Sequence, residues 1–139
     1  MRKLSTVICS VLIGMLLLVG CKKAIFEILI QTDRNSYSPT SSSVRGIYMY
    51  PELKTSSKGT VIEYYWTTTA GCFIGGNDKE LNDKVIGDHI MWNPMSDKSP
   101  SAPTTATITL IAKEKGTGKI LGTTNLTITG NNSGYIVNR

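Results

Sequence analysis

The 139-residue sequence predicts an all-β, antiparallel sandwich that follows a cleaved N-terminal signal segment. Three observations predict it. Beyond residue 20 the apolar residues recur with a period of two, or close to it, in about seven short segments, as strands do when one face is buried and the other meets solvent. Clusters of Gly, Pro, Asn and Ser stand between these segments and supply turns. No stretch of the same region carries the 3.6-residue spacing of an amphipathic helix.

Ahead of these segments, Met1, Arg2 and Lys3 give a positive start, Leu4 to Val19 an almost uninterrupted apolar run, and Gly20 a small residue beside the proposed cut. This is the layout of a secretory signal. A spanning helix needs about 20 apolar residues; the core here is shorter and contains Ser5, Thr6 and Ser10, so a spanning segment is the weaker reading. Leu18-Val19-Gly20-Cys21 resembles the lipobox of bacterial lipoproteins, in which Leu, an aliphatic or small residue, and Gly or Ala precede a modified Cys. The resemblance implies that Cys21 becomes the first residue of the mature chain, its sulfur thioether-linked to diacylglycerol. The alternative is an ordinary signal in which the cysteine stands by chance. Each buried acyl methylene contributes about 0.8 kcal/mol, so two or more chains anchor stably where one binds reversibly.

The chain then divides into a lipoprotein signal peptide, 1–20, a lipidated N-terminus with a short tether, 21–23, and one domain, 24–139. A lipid anchor implies the cell envelope. Lys22 stands where lipoproteins of enterobacterial type retained in the inner membrane carry Asp, which favours the outer membrane in a cell that has two. Cleavage leaves 119 residues, ample for one domain and too few for two ordinary ones. It also lowers the basic count from 15 to 13 against 10 acidic residues, a net charge of +3. With no basic cluster beyond Lys22-Lys23, nucleic acid is not an expected partner. Those two lysines are suited to anionic headgroups beside the anchor.

In the domain, Ala24 to Arg34 places Phe26, Ile28 and Ile30 on one parity and is rich in branched residues, a first strand. Asn35 to Ser43 is polar and turn-forming. Val44 to Tyr50 makes a second strand, which Pro51 is expected to stop because it cannot donate to a ladder. After a turn at Ser56-Ser57-Lys58-Gly59, Thr60 to Thr69 is the clearest period-two segment, with Ile62, Tyr64 and Trp66 on one face and Trp66 the expected core anchor. Gly71 to Gly76 bends into a short strand and out again. Asn77 to Lys84 is charged and irregular, and Val85 to Asn93 reads as a further strand, with Ile86, Ile90 and Trp92 sharing a parity, ended by Pro94. Pro94 to Pro103 forms a loop at one end of the sandwich. Thr105 to Glu114 sets Ala106, Ile108, Leu110 and Ala112 against threonines, and Lys115-Gly116-Thr117-Gly118 turns the chain. Lys119 to Thr129, with Leu126 and Ile128 inward, completes a hairpin. Gly130 to Arg139 trails or adds a short edge strand.

About seven strands in this length is the pattern of an immunoglobulin-like sandwich. Tyr64-Tyr65-Trp66 with Gly71 and Phe73, then Trp92-Asn93-Pro94, then Thr105 to Leu110, resembles bacterial Ig-like and PKD-like modules. The resemblance implies that Trp66 lies on a central core strand. The Asp-rich turn of PKD modules is missing after Trp66 and there is no cysteine pair, so the broader immunoglobulin-like label fits better.

Catalytic constellations are scarce. His89 is the sole histidine, which excludes a multi-histidine metal site within one chain, and Cys72 with His89 is the only thiol–imidazole pair the domain offers. Cys9 leaves with the leader and Cys21 takes lipid, so Cys72 reads as a small buried hydrophobe, with a reactive thiol as the alternative. Asp78, Glu80, Asp83 and Asp88 supply oxygen ligands, but their spacing matches no regular calcium loop and Lys79 and Lys84 interrupt them; a solvated charged loop is expected. Tyr37, Tyr48, Tyr50, Tyr64, Tyr65 and Tyr135 offer stacking surfaces wherever they face solvent. The expectation is a membrane-anchored, non-enzymatic binding or structural module without a cofactor, partnered by an envelope protein or a glycan. The second reading is a carbohydrate-binding module of a surface complex.

Overall fold

The computed structural model describes residues 27–54, 59–74, 83–95 and 103–139. Among them ten strands form: β1 (Ile28–Thr32), β2 (Ser36–Tyr37), β3 (Ile47–Leu53), β4 (Ile62–Thr68), β5 (Cys72–Ile74), β6 (Lys84–Ile86), β7 (Ile90–Asn93), β8 (Thr105–Glu114), β9 (Ile120–Asn131) and β10 (Gly134–Asn138). A four-stranded sheet runs β1-β3-β7-β5 and a six-stranded sheet runs β2-β10-β9-β8-β4-β6. Each pairing is antiparallel. The signal segment, Cys21 and the start of the first expected strand lie outside the described residues, as does most of the 77–84 and 94–103 loops.

Alternation decides which side chains meet between the sheets. β1 buries Ile28 and Ile30, β3 buries Ile47 and Met49, and β7 buries Ile90 and Trp92. From the other sheet Ala106, Ile108, Leu110 and Ala112 of β8 and Leu126 and Ile128 of β9 point back at them. Together with Trp66, Phe73, Tyr37, Tyr135 and Val137 they form one apolar cluster. Withdrawing a large apolar side chain from water contributes about 1.5–3 kcal/mol, which is why the opposite parity, rich in Thr, is left outside. The Trp92 ring meets Tyr135 edge-on at 5.5 Å, a contact between the two sheets. The fold is therefore the all-β antiparallel sandwich that the sequence predicts.

The chain changes sheet at each of its first seven connections, and only β8, β9 and β10 are consecutive neighbours. Three of the crossovers, residues 33–35, 69–71 and 87–89, are three residues long, and a tryptophan holds each of the last two. Trp92 Nε1 donates to Ala70 O at 2.9 Å and to Thr68 Oγ1 at 3.2 Å, fixing the β4–β5 crossover. Trp66 Nε1 donates to Gly87 O at 2.8 Å, fixing the β6–β7 crossover. The β4–β5 crossover needs glycine: Gly71 has φ +74°, and a Cβ there would fall on the Asn93 carbonyl and 2.8 Å from the Trp92 indole nitrogen.

Four expectations change. Val85 to Asn93 is two strands in different sheets, and Ile86 ends up exposed. The crossover of three residues preserves parity, so Ile86, Ile90 and Trp92 look like one strand in the sequence. Asn35 to Ser43 is not all loop, because Ser36–Tyr37 pairs with β10. The C-terminal segment is thereby an inner strand rather than an edge, and β2 is the edge. Pro51 does not end β3, which continues to Leu53. Tyr48 O accepts from Asp33 N, and Lys54 N donates to Glu27 O, so even-numbered main-chain groups face β1. Pro51 therefore turns its missing N–H the other way, where β7 has not yet begun and no ladder bond is lost.

Candidate functional site

That overhang makes a groove. β7 starts at Ile90, opposite Met49, while β3 runs four residues further, with β1 on one side only. The space left beside Tyr50, Pro51 and Leu53 is closed on its other side by Thr60, Ile62 and Tyr64 and roofed by Asp88 and His89 of the β6–β7 crossover. It has a volume of about 450 Å³.

Each wall is held by local geometry. Gly87 N donates to Tyr64 O at 3.1 Å, and Trp66 grips the same glycine through its carbonyl, so Asp88 and His89 are displayed from a pinned turn. His89 stacks on the Tyr50 ring with centroids 5.8 Å apart and planes at 30°. Tyr50 is 39% exposed, on the parity that faces away from the core. Tyr64 lies on the core-facing parity of β4 and is half-buried. Burial first, and then the Asp88 carboxylate, hold its phenol above the usual tyrosine range, so it is a neutral donor and acceptor at ordinary pH. The groove thus combines an apolar floor with an aromatic platform, a phenol, an imidazole and a carboxylate, groups that stack and hydrogen-bond.

The structure does not bring Cys72 and His89 together. Cys72 is buried on β5 opposite Asn93, and its thiol donates to Met95 O at 3.2 Å. His89 lies four residues from Asn93, about 13 Å along the strand at ~3.3 Å per residue. Of the acidic loop, Asp83 and Asp88 are exposed and residues 75–82 lie outside the description; among the described residues no group of three or more His, Cys, Asp or Glu could hold a metal ion. Four of the tyrosines divide by sheet, while Tyr64 and Tyr65 of β4 are half-buried. Tyr48 and Tyr50 of β3 are exposed, whereas Tyr37 and Tyr135 are buried in the six-stranded sheet. Those two also line a smaller hollow of about 230 Å³ where β2 meets β10.

Sequence reasoning named Tyr50, Tyr64, Asp88 and His89 for separate reasons and did not join them. It missed Pro51, Leu53, Thr60 and Ile62 as groove walls. A usable signal was present: a proline inside an otherwise regular strand marks an unpaired edge. Comparison with protein-family models, with curated proteins and with solved structures finds no match to this chain.

Proposed function

We propose that this chain is a lipid-anchored lipoprotein of the bacterial cell envelope, that its sandwich is a non-catalytic, immunoglobulin-like binding module, and that the groove between β3 and β4 is where it binds. The overhang of β3 past β7 carries the binding reading, because it leaves a preformed concavity with an apolar floor and a few convergent polar groups. Such sites usually measure about 300–1,000 Å³. Anchoring rests on the lipobox ending in Cys21. The immunoglobulin label is supported by strand order: β1-β3-β7-β5 against β4-β8-β9 follows the A-B-E-D and C-F-G order of a constant-type domain, to which β6, β10 and β2 are added.

Palmitate labelling tests the anchor: the label is incorporated by the natural chain and lost in Cys21→Ala. Incorporation that survives the substitution refutes it. The groove is tested with a photo-crosslinking residue at Tyr50 in the membrane-bound chain, against the same residue at Thr107 on the outer face of the six-stranded sheet. Adducts form at 50 and not at 107; equal adducts contradict the reading. Tyr50→Ala leaves stability within about 0.5 kcal/mol and weakens ligand binding about tenfold, as truncation of an aromatic anchor does.

The second reading, a carbohydrate-binding module, is favoured by one observation. The exposed Tyr50 ring, stacked with His89, could carry the apolar face of a sugar while Asp88 accepts from its hydroxyls. A glycan array decides between them: a glycan bound by the natural chain and not by Tyr50→Ala selects this reading, and silence on the array with a protein adduct at 50 selects a protein partner.

A further inference from the structure

The first described residue is fixed at one end of the sandwich, since Glu27 O accepts from Lys54 N at 3.0 Å. Cys21 is six residues earlier, a reach of at most about 20 Å for a fully extended chain. β8 alone, at ten residues, is about 33 Å long. A lipid on Cys21 therefore keeps the Glu27 end, and not the far end, beside the bilayer.

That end has a surface of its own. β3 leaves it at Lys54 and β4 returns at Val61, whose carbonyl accepts from Lys115 N at 2.9 Å; on the far side of β8, Ile120 pairs with Lys113. Val61 is 62% exposed and Ile120 58%, two of the three most exposed large apolar residues among those described. Around them stand Lys54, Lys113, Lys115 and Lys119. Among the described residues the acids at this end are Glu27, Glu52, Glu63 and Glu114, with Glu52 near enough to act on Lys54. Lys54 contacts Glu27 at 2.9 Å and Lys115 contacts Glu63 at 3.7 Å, through side chains that are largely open to solvent. Exposed pairs of this kind are weak enough to exchange for headgroup phosphates. Apolar tips among flexible lysines are the composition of a surface that sits in the headgroup layer, with ammonium groups spread outward along the interface.

We infer that this end, with Val61 and Ile120 at its tips and Lys54, Lys115 and Lys119 around them, docks flat on an anionic lipid surface. The inference rests on the Cys21 anchor proposed above. Docked in this way, the sandwich stands upright and its groove opens sideways just above the headgroups, so the ligand is met at the membrane surface.

The test uses the full chain purified from membranes, its lipid checked by intact mass, and reconstituted into vesicles of phosphatidylcholine with phosphatidylglycerol. Single tryptophans replace Val61, Ile120 or Ile136, the last exposed on a row of the six-stranded sheet that includes Thr105, at the opposite end of β8. Acyl-brominated lipid quenches Val61→Trp and Ile120→Trp at least about twofold more than Ile136→Trp, since interfacial groups penetrate ~5–10 Å. The native Trp66 and Trp92 are buried and give a common background. The difference shrinks in pure phosphatidylcholine and in the double variant Lys115→Glu, Lys119→Glu. Equal quenching at all three positions in a lipidated chain overturns the docking and leaves the anchor standing. An undiminished difference in neutral vesicles overturns the anionic partner, and a Cys21 without lipid overturns anchor and docking together. Hydrogen exchange of the natural sequence provides a second reading: vesicles slow residues 59–61 and 115–120 and leave 103–105 unchanged.

Discussion

The two sheets enclose one core but are assembled by different means. The four-stranded sheet consists of β1, β3, β5 and β7, no two of them consecutive in the chain, so each of its ladders joins distant segments. The six-stranded sheet has the meander β8-β9-β10, in which β8 and β9, at ten and twelve residues, are the longest strands described and consecutive strands pair directly. A meander can form from its own neighbours, whereas the four-stranded sheet forms only when the crossovers deliver its strands, and non-local pairing of that kind carries the larger loop-closure cost. Unequal strand lengths are tolerated where pairing is not a hairpin. The groove is such an inequality, β3 outlasting β7, and it lies in the sheet that depends on the crossovers.

If the crossovers govern the four-stranded sheet, the largest loss follows from removing what holds one. Trp92→Ala empties a fully buried site, opens the contact with Tyr135 and releases the donors to Thr68 and Ala70, and should cost about 3–5 kcal/mol. Urea unfolding followed by circular dichroism measures it; a loss below about 1 kcal/mol would mean that this tryptophan is not what keeps the sheets together. Gly71→Ala is next, at about 2–4 kcal/mol, because the new Cβ meets both an unfavourable φ and the Asn93 carbonyl. A neutral result there would show that the crossover can shift without disturbing β5. Thr68→Val keeps the volume and removes the hydroxyl that accepts from Trp92 and donates to Ala70 O at 2.6 Å. Its cost is about 1–2 kcal/mol, since Trp92 retains its bond to Ala70 O.

The same contrast decides what could be read from the sequence. β8 was legible to the residue, Thr105–Glu114, because Ala106 to Ala112 alternate without interruption, and its hairpin partner was legible because Lys115 to Gly118 carry turn chemistry. In the four-stranded sheet, local signals survive but their assignment does not. Ile90 and Trp92 share a parity and both are buried, yet nothing local says that Ile86, on the same parity, belongs to the other sheet and is exposed. Pro51 reads as a stop in the sequence; its missing donor matters only where a neighbour waits for it, and the absence of that neighbour is a fact of register. A proline within a strand marks an unpaired edge, but nothing local says which residues close around that edge to make a groove. Its walls come from β3, from β4 and the residues just before it, and from the 87–89 crossover about twenty residues after β4, and only the fold aligns them.

The smallest effect at neutral pH, and the one that tests the contrast by chemistry rather than packing, concerns three buried or half-buried phenols. Tyr37, Tyr64 and Tyr135 all belong to the six-stranded sheet, and burial raises each above its ordinary value of 10.0. For Tyr37, Arg34 and Arg45 pull against burial without cancelling it; for Tyr64 and Tyr135, Asp88 and Tyr37 respectively add to it. A raised phenol pKa means that the folded chain holds its proton after the unfolded chain has released its own. The contribution is therefore complete below about pH 10 and is lost as pH rises through the folded-state values. Thermal unfolding should be independent of these groups at neutral pH and fall above that threshold, with phenolate absorbance appearing together with loss of structure. Tyr135→Phe keeps the edge contact with Trp92 and should make the alkaline fall shallower. An identical alkaline slope in Tyr135→Phe would show that this phenol opens to solvent before the fold does, and that the edge of the six-stranded sheet at β2 and β10 is looser than the crossover-built sheet it faces.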